Sequence, residues 1–156
     1  MKKVLIALDY DPTAQKVAEM GFLLAKSLKA ELILLHVIKA SAYYSTPEYF
    51  PIMGYTGYVD VSPTVLESAE GLRNASMHYL EKTRQHLGDK SIQIRVEEGD
   101  FAETILQCAE EVHADIIVMG SHSQKWLESI LMGSVTEEVL KASTLPLYII
   151  PTKRDQ

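Results

Sequence analysis

The chain has 156 residues, 47% apolar and 23% charged, with 21 acidic against 15 basic side chains and a formal net charge of −6. That length suits one domain with its own core, since a domain of about this size buries roughly two thirds of its unfolded-state surface. The acidic balance, with no Lys/Arg run, excludes the basic footprint of a nucleic-acid binder. Cys108 is the only cysteine, so an intramolecular disulfide and a multi-cysteine metal site are excluded; the thiol suits a reducing compartment and is expected in the core. Met1-Lys2-Lys3 precedes an apolar run, Val4 to Leu8, too short for a signal segment. No apolar run approaches the ~20 residues of a membrane-spanning helix. The expected location is cytoplasmic, with no membrane partner.

In chain order, five β-rich runs alternate with helix-period segments: Val4 to Leu8, Glu31 to Val37, Ile92 to Val96, Asp115 to Met119 and Leu147 to Ile150. That alternation predicts an α/β fold, a parallel sheet with helices on both faces. The runs are nearly continuous in apolar residues, which predicts interior strands covered on both sides. Helix starts are expected at Asp11 before Pro12, at Asp100 with Glu103, and at Ser134 with Glu137, the last two at capping-box spacing. Four helices are expected. The longest runs from about Thr64 to Leu87, with Val65, Leu66, Ala69, Leu72, Met77 and Leu80 on one stripe and Gly88 as its stop.

Lys39 to Pro63 breaks the rhythm, holding Pro47, Pro51, Pro63, Gly54 and Gly57 and exceeding an ordinary strand-to-helix connection. Tyr43, Tyr44, Tyr49, Phe50, Tyr55 and Tyr58 crowd into it, so it should pack on something, as a lid or as a subunit contact. No repeat or linker divides the chain, and one domain spans 1–156.

Chemistry concentrates between Met119-Gly120-Ser121-His122-Ser123 and Gly133-Ser134-Val135-Thr136. Gly120 allows a ligand close to the backbone, and the helix starting after Gly133 offers unpaired N–H groups at the positive end of its dipole, a combination that favours phosphate. The Ser134 and Thr136 hydroxyls are further donors. Met119 serves the sheet core and the pocket wall together, His122 and Lys125 are candidate phosphate contacts, and Trp126, Leu127, Ile130 and Leu131 can anchor the loop.

This stretch resembles the nucleotide loop of the universal stress protein family: Gly, two residues, Gly, nine residues, Gly, then Ser or Thr. Gly120, Gly133 and Ser134 match, while Ser123 stands where the second glycine is expected. Val4-Leu5-Ile6-Ala7-Leu8-Asp9, Leu34-Leu35-His36-Val37, Gly99-Asp100 and the terminal apolar run also look like landmarks of that family, so the resemblance covers nearly the whole chain. It implies a single-domain, open, five-stranded parallel sheet of strand order 3-2-1-4-5, whose switch point between the first and fourth strands is where such sheets bind ligands. It implies ATP or another adenine nucleotide as ligand, with Ala7 and Asp9 lining the site and Val37 meeting adenine. An accompanying Mg²⁺ would be held mainly by phosphate oxygens and water, and no protein metal ligand is assigned. The resemblance also implies a homodimer through Leu147 to Ile150, hiding Tyr148 and Ile150.

His36, inside an apolar strand, is expected as a hydrogen-bonded core histidine, and His78, His86 and His113 lack metal-ligand spacing. The sequence therefore reads as a stress-response regulatory module that binds nucleotide and acts through a protein partner it does not identify. A nucleotide-independent dimeric interaction protein is one alternative. A slow ATPase using His122 and Lys125 is the other.

Overall fold

The computed structural model describes residues 1–39, 50–51, 58–59, 69–121 and 133–152. The elements in order are β1 (Lys3–Ala7), α1 (Ala14–Leu28), β2 (Glu31–Ile38), β3 (Phe50–Pro51), β4 (Tyr58–Val59), α2 (Ala69–Leu87), β5 (Gln93–Glu98), α3 (Phe101–Glu111), β6 (Ile116–Gly120), α4 (Ser134–Ala142) and β7 (Leu147–Ile150). Five strands form one sheet of order β5-β2-β1-β6-β7, every pair parallel. This is the expected 3-2-1-4-5 order, because β3 and β4 form a separate two-stranded antiparallel pair inside the long connection. The remainder of that connection, with Tyr43, Tyr44, Tyr49 and Tyr55, lies outside the described residues, as does the expected helix start near Thr64.

Alternation along the strands divides the core into two layers. Val4, Ile6 and Leu8 of the first strand and its exit pack with Val17, Ala18 and Ala25 of α1 and with Leu72, Tyr79 and Leu80 of α2. Leu5, Ile33, Leu35, Val37, Ile117 and Met119 pack on the opposite face with Ala102, Ile105, Cys108 and Ala109 of α3 and Val139 of α4. Cys108 is buried there as expected, and burial pushes its thiol up to about 11, so it sits as a neutral apolar group. Gly21 lets α1 lie against the sheet: a Cβ at that position would run into Ile6 Cδ1 and come within 3.2 Å of Val118 Cγ1.

Several local expectations change. β5 and β7 are edge strands rather than interior ones, and β5 shows it in Arg95 and Glu97, an ion pair at 2.7 Å on a strand with one fully buried residue, Val96. β5 also runs two residues past the expected end, because Gly99 N–H continues the ladder to Ile38 O at 3.0 Å. Ile150 is 2% exposed and packs in the core of the chain, so of Tyr148 and Ile150 only Tyr148, at 36%, has surface to hide.

Neither capping box forms. Asp100 is the N-cap of α3 but caps no N–H with its side chain; its Oδ1 instead lies 3.7 Å from Lys39 Nζ. At α4 the N-cap is Gly133 and Ser134 is the first helical residue, while Glu137 pairs with Lys141 at 2.8 Å. For α1, Asp11 organises the turn as expected, its Oδ1 accepting from Thr13 N at 2.9 Å and Thr13 Oγ1 at 2.8 Å, but the helix begins only after Thr13. Gly88, at φ +75°, ends α2 with its N–H on the Arg84 and Gln85 carbonyls.

Candidate functional site

The sheet order reverses between β1 and β6: β2 follows β1 on one side and β6 lies on the other, so the connections leaving these two strands diverge and open a crevice at their carboxyl ends. The register Val4↔Ile116, Leu5↔Ile117, Ile6↔Val118, carried forward, sets Ala7 level with Met119 and brings Asp9 to the rim beside Ser121. On the other side Ala7 pairs with Leu35, which puts Val37 level with Asp9. Val37 is buried against the layer containing Ala102 and presents little surface, and Met119 is likewise core, at 5% exposure.

Asp9 is half-buried and its Oδ1 accepts from Asp11 N at 3.0 Å. Burial pushes its carboxyl up to about 7, the Asp11 charge adds to that, and the Asp11 N–H bond opposes it. Its neighbours are a packed ring cluster. Tyr10 and His36 lie 4.2 Å apart between centroids and Tyr10 and Tyr79 4.9 Å, and burial raises Tyr10 to about 12 and Tyr79 further from its ordinary value. His36 is buried and bonded to Leu8 O at 2.8 Å, a core histidine as expected, and burial lowers it to about 4 so that it stays neutral.

Across the crevice, four polar contacts tie the end of β6 to the start of α4 and to the segment after β7. Gly133 N donates to Ser121 O at 2.6 Å, Thr136 Oγ1 to Gly120 O at 2.9 Å, Thr152 N to Ser121 Oγ at 3.0 Å and Ser121 N to Ile150 O at 2.9 Å. Thr136 is therefore committed inside the protein, and its side chain is not the free donor expected of it. Gly120 is needed for a related reason: a Cβ there would sit 2.9 Å from Thr152 Cγ2 and 3.0 Å from Val17 Cγ2, so the demand is close packing against α1 rather than approach to a ligand alone.

Gly133, the N-cap of α4, has no side chain to cap the first turn, and among the described residues nothing takes the N–H groups of Ser134, Val135 and Thr136, which lie at the positive end of the helix dipole. Ser134 is exposed and Val135 half-buried. Together the backbone donors and the dipole suit an anion of phosphate type. His122, Ser123, Lys125 and Trp126 lie outside the described residues. Among the described residues no group of three His, Cys, Asp or Glu could hold a metal ion.

Two polar groups at this end were not picked out in the sequence: Ser121 with Thr152, and Tyr10 on Ser76 beside Tyr79 on the Asp9 carbonyl. Their signals were weak because the partners are 31 and 66 or more residues apart. Only the place of Ser121 directly after Gly120 pointed to it.

The parallel sheet of order β5-β2-β1-β6-β7, with its switch point between β1 and β6, defines an open, doubly wound α/β protein. A match to the universal stress protein family spans residues 1–151, and the chain belongs to that family. It is 33% identical to Universal stress protein MJ0577 of Methanocaldococcus jannaschii, over 97% of this chain and 96% of that one. The solved structure of MJ0577 superposes with a TM-score of 0.74 at 30% identity, covering 99% of this chain and 98% of that one. Fold likeness extends to a universal stress protein in complex with cAMP, at TM-score 0.64 and 17% identity over 97% of each chain. It extends also to the universal stress protein of Archaeoglobus fulgidus in complex with dAMP, at TM-score 0.60 and 18% identity over 96% of this chain and 98% of that one. Among the described residues no helix is long and apolar enough to cross a membrane.

Proposed function

We propose that this protein binds an adenine nucleotide, ATP in the first instance, in the crevice between β1 and β6, and that it acts as a cytoplasmic regulatory module through protein contacts rather than as a catalyst. The observation that carries this is the start of α4, uncapped among the described residues and tied to the end of β6 by the Thr136 to Gly120 bond and by Gly133 N on Ser121 O. Phosphates meet the N–H groups of Ser134, Val135 and Thr136, while Asp9, Ala7 and Val37 face the nucleoside end. The cAMP and dAMP complexes of fold relatives support an adenine ligand. Mg²⁺ arrives with the phosphates, which supply most of its ligands.

No described residue at the crevice is placed as a general base toward a γ-phosphate: His36 is bound to a carbonyl and Asp9 to Asp11 N. Turnover well below about one per second is expected. Mass spectrometry of protein purified without added nucleotide and then denatured tests the reading, and a stoichiometric adenine nucleotide is the expected release. Calorimetry with ATP and Gly133→Val completes it. Gly133 has φ −67° and ψ 156°, which a branched residue also adopts, so the backbone does not bar the variant, and protein whose fold is verified by circular dichroism is expected to lose binding. Unchanged ATP affinity in the folded variant would refute the phosphate site, and loss of fast turnover on His122→Ala would refute the non-catalytic part.

A further inference from the structure

Two consecutive carbonyls at the exit of β1 are each taken by a side chain from another element. His36 on β2 donates from Nδ1 to Leu8 O at 2.8 Å, and the Tyr79 hydroxyl on α2 donates to Asp9 O at 2.7 Å. A carbonyl oxygen only accepts, so the His36 proton sits on Nδ1. Both side chains are nearly inaccessible, at 6% and 4% exposure, and neither is among the nucleotide contacts assigned above. A second strut stands beside them. Ser76 Oγ gives its proton to Leu72 O at 2.9 Å, so the Tyr10 hydroxyl is the donor in the 2.5 Å contact between Tyr10 and Ser76.

Peptide groups are rigid planes, and the two planes flanking the Asp9 Cα carry the Leu8 and Asp9 carbonyls. Holding both oxygens fixes φ and ψ of Asp9 and with them the direction of its Cα–Cβ bond. The carboxyl is then caught by Asp11 N at 3.0 Å. We propose that His36 and Tyr79 are positioning residues that set the direction in which the Asp9 carboxyl enters the crevice. The consequence for ligand affinity rests on the nucleotide reading above; the consequence for Asp9 does not.

Tyr79→Phe and His36→Leu remove the donors with little change of shape, and His36→Asn restores one, its amide nitrogen standing near the place of Nδ1. Two readouts are taken: ATP affinity by calorimetry, and hydrogen exchange of the Asp11 amide, which is protected only while the Asp9 carboxyl is held. Tyr79→Phe and His36→Leu should each weaken ATP binding and speed Asp11 exchange by up to about tenfold, as for one lost hydrogen bond, with the Leu5 and Ile6 amides unchanged. His36→Asn should recover both. Asp11 exchange that does not move in Tyr79→Phe, or that moves in step with Leu5 and Ile6, overturns the proposal. If the wild-type protein does not bind ATP, the nucleotide reading falls while Asp11 exchange still decides this one. If His36→Leu does not fold, Tyr79→Phe decides alone.

Discussion

Thr136 Oγ1 donates to the Gly120 carbonyl across 2.9 Å, joining the first turn of α4 to the last residue of β6. Thr136 is shielded, at 2% exposure, and Gly120 is half-buried, so the bond fixes where the N-terminus of α4 points. Thr136→Val keeps the shape and takes the donor from a half-buried carbonyl. It should cost about 1–3 kcal/mol in urea unfolding and weaken ATP binding, while Thr136→Ser keeps both near wild type. Equal loss in Thr136→Ser and Thr136→Val would show that the methyl packing, not the hydroxyl, matters.

Asp9 and His36 make opposite contributions to stability against pH. Between its ordinary value of 3.8 and about 7, folded Asp9 holds a proton that the unfolded chain has released, so its contribution is full below 3.8 and is lost as pH rises to about 7. Between about 4 and 6.5, unfolded His36 holds a proton that the folded protein lacks, so its contribution grows over that window. The two offset in the wild type. Asp9→Asn should therefore make stability rise with pH relative to wild type, and His36→Asn should make it fall, each by about 1.4 kcal/mol per pH unit. Urea unfolding at about pH 4.5 and about pH 6 measures the difference, and curves parallel to wild type in both variants would exclude the two shifts.

The two sheet edges differ. β5 carries Arg95, Glu97 and Glu98, whereas β7 reads Leu147-Tyr148-Ile149-Ile150 without a charge and pairs with β6 alone among the described strands. An uncharged open edge favours pairing with a second copy. Tyr148→Lys should convert a homodimer to a monomer in light scattering without loss of helix content. Ile150 is unsuitable for this test because Lys at a core position would unfold the protomer. A Tyr148→Lys protein that stays dimeric places the contact elsewhere, with the segment from Tyr43 to Tyr58 next in line.

At Gly21 α1 lies close against the sheet, with Ile6 Cδ1 and Cγ1 occupying the space of an added Cβ. Helix propensity alone would make Gly21→Ala stabilising by up to about 1 kcal/mol. Overpacking against Ile6 should win, with a net loss of about 1–3 kcal/mol in chemical unfolding. Adding Ile6→Val should restore part of it. A stabilised single variant would mean that α1 shifts outward at no cost.

The five parallel strands and their helices could be read from the chain because each depends on local signals: apolar runs of strand length and helical periodicity. Strand order came through resemblance, since the apolar runs do not say which neighbours pair. Capping was misread at Ser134 and Asp100 because spacing shows that a cap is available, not whether Lys39 or a helix starting one residue earlier takes its place. What only the tertiary structure decided lies between distant residues. Thr136 closes on Gly120, Thr152 on Ser121, and Tyr79 on the carbonyl of Asp9. In each pair one member is an ordinary polar residue of a helix or strand end. Its role exists only because β7 pairs with β6 and α2 packs on the face of β1, which brings residues 16 to 70 positions apart to the same end of the sheet.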